Sequence, residues 1–302
     1  MPVHRFSMKP LGPFSLTAAR DYFERWPEHE GGLAVAFPVE GWQGTAAAVV
    51  RLREGRVEAD IHCDAALADT AWKQLLAALS LDFDGTDFPK LAERDPVLGK
   101  IQRALDFMRP MCSLTPYEAA VARVLGQRRS IVQQRAIRKK LADARGDKFE
   151  LGPLKLAAFP RPQVLLEVDA IPGVDAKKLA QLHSLAHAAL AGKLDRERLR
   201  ALPYDDALAE LREMPGVGDW TSQGIMLRGA ALVDTVPDDG ATQQAVQFAY
   251  GLKEQPSHAE VLKRAEAWRP FRMWAVVLLH IWLRREGGGP RRDALRKPRR
   301  RA

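Results

Sequence analysis

An α+β N-terminal antiparallel-sheet domain followed by an all-α helical bundle is the fold class that this 302-residue sequence predicts. Three observations predict it. Strand-like runs are confined to the first hundred residues, and helix signals dominate from residue 101 onward. Late in the chain, two helical patterns meet across a Pro-Gly-Val-Gly turn, a helix-hairpin-helix.

In chain order, Ser15-Leu16-Thr17 opens a helix that runs through Trp26. Leu33 to Val39, Thr45 to Leu52 and Val57 to His62 read as strands, with Glu54-Gly55 turning the chain between the last two. Ala66 to Leu79 is a further helix. The chain divides near residues 95 to 105, giving an α+β domain over 1–100, a helical domain over 101–286 and a basic tail over 287–302. In the helical domain Thr115-Pro116-Tyr117-Glu118 has the form of a capping box with proline at the first helical position. Tyr117, Val121, Val124 and Leu125 then share one helix face. Gly126-Gln127-Arg128-Arg129-Ser130 interrupts that pattern before a new helix starts at Ile131. Ile171-Pro172-Gly173-Val174-Asp175 imitates the hairpin, with Asp175 in place of its second glycine, and reads as a helix turn. Phe271, Trp274, Leu278, Ile281 and Trp282 form an apolar helical stripe, which is ordinarily core.

Composition bounds the reading. A hydrophobic share of 46% fills a sizeable core, and the net charge of +8 suits a polyanionic partner. The segment Arg291 to Ala302, however, carries seven basic residues against Asp293, six of the eight charges, so local clustering is what counts in the folded body. Its strongest cluster is Arg123, Arg128, Arg129, Arg135, Arg138, Lys139 and Lys140, around the Gly126 interruption. Cys63 and Cys112 are too few for a four-thiolate iron–sulfur cluster and suit a reducing cytoplasm. The N-terminus lacks the apolar region of a signal peptide, and Trp274 to Leu283 is too short to span a bilayer. A cytoplasmic chain without a membrane partner is expected.

The hairpin, placed at 205–230, is where chemistry enters. Asp205 to Glu213 reads as its first helix, and Trp220, Gly224 and Leu227 lie at i, i+4 and i+7 of its second. Gly216 and Gly218 turn the backbone sharply and leave its N–H groups uncovered. The helix that follows aims the positive end of its dipole at an incoming anion such as a phosphate. A tight turn with no ligand is the simpler alternative. The full pattern, hydrophobic-x-x-hydrophobic-Pro-Gly-Val-Gly-x-x-Thr, favours a nucleic-acid backbone. Downstream, Asp238 and Asp239 follow Pro237 at the start of a helix from Ala241 to Tyr250, closed by Gly251. One of the pair serves as N-cap. A second carboxylate beside a DNA-binding unit can stabilise positive charge on a sugar or orient a water.

Residues Leu211 to Asp239 resemble the helix-hairpin-helix plus Gly/Pro-Asp signature of the base-excision DNA glycosylase superfamily. The likeness continues through Ala265-Glu266-Ala267-Trp268-Arg269-Pro270-Phe271-Arg272 and Leu279-His280-Ile281-Trp282. Upstream it takes in Ala120 to Gln127 and Phe159-Pro160-Arg161-Pro162-Gln163. Together these resemble the alkylation-repair branch, the bacterial 3-methyladenine DNA glycosylase II type. The resemblance implies a monofunctional glycosylase that flips alkylated bases out of duplex DNA and removes them hydrolytically in base excision repair. It implies Asp239 as the catalytic carboxylate and Trp220 and Trp282 as base-pocket residues, with Trp274 filling part of the pocket. Gly224 and Gly240 stand at pocket positions that are often aromatic, which implies a wider pocket. Arg128 falls at the wedge, where relatives often carry leucine. Gly216, Val217, Gly218, Thr221, Gln127, Arg129 and Ser130 complete the expected DNA-binding set. A structural Na+ or K+ on the main-chain carbonyls of Arg212, Met214 and Val217 is implied, with no cofactor required. Bifunctional relatives place a Schiff-base lysine one residue before the hairpin threonine; here that residue is Trp220, so no AP-lyase activity is expected. The implied partner is damaged double-stranded DNA, met by a monomer at the bacterial nucleoid. Two alternatives remain: a non-catalytic helix-hairpin-helix DNA-binding protein, and a glycosylase for oxidised or mismatched bases.

Overall fold

The computed structural model describes residues 1–22 and 26–287. Strands β1 (Val3–Met8), β2 (Glu28–His29), β3 (Gly32–Pro38), β4 (Thr45–Arg53) and β5 (Arg56–His62) form one antiparallel sheet in the order β1-β5-β4-β3-β2. In its register Ala47 of β4 pairs with Ala36 on one side and His62 on the other. Thr45 through Arg51 are all buried, so β4 is covered on both faces, and Ala46 to Val50 read as a continuous apolar run. One cover is a second hairpin, β6 (Lys148–Leu151) with β7 (Leu154–Ala157), whose Phe149 and Leu151 pack against Ala34, Ala47 and Val49. Sequence reasoning places no strand there. Its signal is the alternation Phe149/Leu151 and Leu154/Leu156 about Gly152-Pro153. The edge strand β1 was also missed; its residues alternate only between exposed and half-buried, too weak a contrast to stand out.

The helices are α1 (Leu16–Tyr22), α2 (Ala68–Ala78), α3 (Leu91–Arg94), α4 (Pro96–Ala104), α5 (Pro116–Gly126), α6 (Ile131–Arg145) and α7 (Pro162–Leu166). They continue as α8 (Ala176–Leu190), α9 (Arg196–Ala201), α10 (Tyr204–Arg212), α11 (Asp219–Arg228), α12 (Gly240–Tyr250), α13 (His258–Ala265) and α14 (Arg272–Glu286). The expected fold class is thus the observed one, with a short hairpin added to the helical part. Trp26 lies outside any helix, so α1 is shorter than expected. The basic tail from residue 288 falls outside the described residues. No described helix is long and apolar enough to cross a membrane.

The described residues group into two compact units that interleave along the chain rather than meeting once near residue 100. The first holds 1–11, 26–84 and 111–232; the second holds 12–22, 85–110 and 233–287. Within the first unit, sheet and helices share a core. Trp42, after β3, donates its indole N–H to the Ala189 carbonyl at 3.0 Å and stands edge-on to Tyr117, with centroids 5.4 Å apart. Thr115 caps α5 by accepting the Glu118 N–H at 3.0 Å, as the sequence predicts. The second unit is organised around Asp95, which caps α4 with one oxygen. Its other oxygen takes the Trp268 indole N–H at 2.9 Å and the Tyr250 hydroxyl. Burial, and then the bond to Asp95, hold the Tyr250 phenol well above its ordinary pKa.

Candidate DNA interface and base pocket

The hairpin between α10 and α11 is built as its glycines require. Gly216 has φ +85°, and a Cβ there would lie 2.7 Å from the Gln181 amide carbon. Gly218 is the N-cap of α11, in extended conformation, without a side-chain cap and with open space where a Cβ would point. Met214 and Val217 are buried and anchor the turn. The Val217 N–H closes onto the Met214 carbonyl at 3.0 Å, so that donor is spent inside the turn. Thr221 is buried as well. The Val217 N–H and the Thr221 side chain thus serve the hairpin's interior, while Gly218 is exposed and Gly216 is half-buried.

The loop from Gly126 to Ser130 is braced at nearly every residue. Gln127 donates from Nε2 to the Gly216 carbonyl at 2.7 Å, and its Oε1 accepts from Lys178 Nζ at 3.2 Å. Lys178 also donates to the Val124 carbonyl at 2.9 Å. Partial burial, and then the charges of Arg129 and Arg128, lower the Lys178 pKa. Arg129 spans the Leu125 carbonyl at 3.2 Å and the Gly173 carbonyl at 2.6 Å. Ser130 and Gln133 form a reciprocal capping box on α6. Gln127, Arg129 and Ser130 thus all brace the loop through hydrogen bonds within the protein. Arg128 is exposed and, alone in this set, makes no hydrogen bond among the described residues; its φ is +58°. The second turn, at Gly173, is the anchor for Arg129.

The tryptophans divide. Trp220 is 56% exposed. The Arg123 guanidinium lies over its ring, with Cζ 4.4 Å from the centroid. Trp282 is half-buried, with Lys100 Nζ 5.7 Å and Arg285 Cζ 5.9 Å from its ring. Trp274 is fully buried and interlocks with Phe88 at 5.0 Å and Phe271 at 5.1 Å between centroids. It is core and presents no face to a base, so its pocket role is corrected. The space expected over Gly224 is not vacant: a Cβ there would fall 1.7 Å from Arg123 Cζ. Gly240 is exposed, and Gln255 Nε2 lies 3.8 Å from the site of its missing Cβ.

Asp239 is half-buried and caps α12, its Oδ1 accepting the Thr242 N–H at 2.6 Å. The N-cap role allotted to one aspartate of the pair thus falls to Asp239 itself. Among the described residues its second oxygen accepts no hydrogen bond. The buried Thr242 hydroxyl continues the chain to His280 Nε2 at 3.1 Å. Asp238 is exposed and faces His258 Nδ1 at 3.5 Å. Sequence reasoning missed Thr242 and His280. The first is legible as the third residue after an N-cap; the second needs the tertiary fold. The hairpin, the braced loop, Arg123, Trp220 and Gly224 belong to the first unit, and Asp239, Gly240, Trp274 and Trp282 to the second.

No protein-family model matches the chain. It is 30% identical over 216 residues to DNA-3-methyladenine glycosylase 2 of Escherichia coli (strain K12), covering 69% of this chain and 71% of that protein. It is 25% identical over 204 residues to the DNA-3-methyladenine glycosylase of Bacillus subtilis (strain 168), covering 66% of this chain and 67% of that protein. Its fold is similar to that of the 3-methyladenine DNA-glycosylase from Archaeoglobus fulgidus, with TM-score 0.77 and 18% identity over 92% of this chain and 98% of that one.

Proposed function

The chain belongs to the DNA-3-methyladenine glycosylase family of helix-hairpin-helix proteins, and from that premise we propose that it removes N-alkylated bases from duplex DNA by hydrolysis. The observation that carries the mechanism is the Asp239 carboxylate, with one oxygen tied to a backbone N–H at 2.6 Å and the other open. The backbone N–H groups of the hairpin at Gly216 and Gly218 hold a backbone phosphate. Arg128 fills the stack while the damaged nucleotide rotates out, which costs roughly a few kcal/mol. The exposed indole of Trp220 offers its face to the base. Alkylation at a ring nitrogen gives the purine a positive charge, so the electron pair of the breaking C1′–N bond neutralises the departing base. The open oxygen of Asp239 stabilises the positive charge that grows on the sugar and takes a proton from the water that adds to C1′.

Trp220 carries no amine, so no imine forms with the sugar and the strand stays intact. Na+ or K+ fits the turn: among the described residues the Arg212 and Val217 carbonyls accept no hydrogen bond, and that of Met214 accepts the Val217 N–H. Held by these carbonyls, the ion would supply positive charge to the turn that meets the phosphate. The reading places the chain as a monomer on nucleoid DNA.

The test is release of free base from methylated duplex DNA by the wild type and by Asp239→Asn. Release of 3-methyladenine or 7-methylguanine that drops at least about a hundredfold in the variant, with DNA binding kept and abasic strands uncut, is the expected result. Binding without release from the wild type would overturn the reading, and oxidised and deaminated substrates would then separate a different glycosylase from a DNA-binding module.

A further inference from the structure

Trp220 and Gly224 are one helical turn apart on α11, and Arg123 of α5 fills the space they define. Its Cζ stands 4.4 Å from the Trp220 ring centroid, and its Nη1 lies 3.5 Å from the Trp220 carbonyl. The seat exists because residue 224 has no side chain: a Cβ would meet Arg123 Cζ at 1.7 Å and Nε at 1.8 Å. One face of an indole that is 56% exposed is therefore already occupied by a fixed positive charge.

A bare indole face attracts a cationic ring more than a neutral one. Arg123 opposes that preference in two ways. It uses the ring's electron-rich face for itself, and it repels any second cation brought to the ring. A base stacked on the other face would sit about 8 Å from the guanidinium, within the screening length at physiological salt. We propose that Arg123, seated on Trp220 over Gly224, is a specificity-determining residue that weakens selection for cationic bases and admits neutral modified bases to the pocket. The inference rests on the glycosylase reading with Trp220 at the base. A neutral base has no alkyl charge to help it leave, so it depends more on Asp239, while a cationic base loses part of its binding advantage.

The experiment compares single-turnover release of 7-methylguanine, a cation in duplex DNA, with release of hypoxanthine, a neutral base, together with the salt dependence of DNA binding. Arg123→Met raises the ratio of cationic to neutral release roughly fivefold, the size expected for a partly exposed, partly screened charge. Gly224→Ala displaces the guanidinium without altering either partner and moves the ratio the same way. Arg123→Lys keeps the charge and stays nearer to the wild-type ratio. An unchanged ratio in Arg123→Met and Gly224→Ala would overturn the proposal. So would an equal fall for both bases with a salt slope reduced by about one, which would make Arg123 a phosphate contact. Failure of the wild type to release either base would overturn the underlying glycosylase reading, an outcome distinct from an unchanged ratio.

Discussion

Replacing Glu40 by glutamine should stabilise the protein at alkaline pH and leave it nearly unchanged in mild acid. The Glu40 side chain is 15% exposed, and burial pushes its carboxyl from 4.5 up to about 7. Arg196 pulls the other way, but its Nε stands 3.9 Å from Glu40 Oε1, too far for a hydrogen bond, while Asp195 and Glu197 push upward. Desolvation wins. The folded state therefore holds this proton more tightly than the unfolded chain does. The stabilisation is fully present below pH 4.5 and is lost as pH rises to about 7. From the size of the shift, ionised Glu40 costs about 3 kcal/mol above that window. Glu40→Gln removes the titration, and the lost attraction to Arg196 makes about 3 kcal/mol the ceiling of the gain at pH 8. Denaturant unfolding of both proteins at pH 5 and pH 8 reads the difference. The wild type should lose stability between the two values by more than the variant does. Parallel pH dependences, or a variant less stable at pH 8, would show that Glu40 is an ionised partner of Arg196 and that the desolvation argument fails.

Two further outcomes bear on the interface. Gly216→Ala puts a Cβ at φ +85° and 2.7 Å from the Gln181 amide carbon. It should cost about 1–2 kcal/mol of stability and weaken DNA binding several-fold; full affinity in a filter or anisotropy assay would show that the hairpin does not meet DNA. Arg128→Ala removes an exposed side chain without hydrogen bonds among the described residues. It should leave the melting temperature unchanged while base release falls roughly tenfold, part of the extrusion cost; unaltered release would remove Arg128 from the flipping step.

Local chemistry made the hairpin and the caps legible. Pro215-Gly216-Val217-Gly218 demands a backbone that few other residues supply, and Thr115 announces a helix start by its own hydroxyl. Tertiary facts were not legible. Trp220 and Trp274 are the same residue type on helical patterns, yet one is 56% exposed and the other fully buried, because burial depends on what the opposite element brings. Gln127 and Arg129 look like DNA ligands in any list of donors. Only the fold reveals the Gly216, Leu125 and Gly173 carbonyls that consume them. Gly224 suggested empty space, but its occupant, Arg123, comes from α5, far upstream in the chain.

The same economy of hydrogen bonds shapes both halves of the proposed machinery. In the loop, donors that could wander are spent on backbone carbonyls, and what remains is one cation whose backbone, at φ +58°, is held by its neighbours. At α12 one carboxylate oxygen is spent on the Thr242 N–H, which fixes the direction of the other. A group positioned in this way needs little rearrangement when charge develops near it, and that is where an enzyme gains over water. Arg123 extends the pattern to selectivity. Its position is set by the absence of a side chain at Gly224, so a single Cβ is enough to undo it.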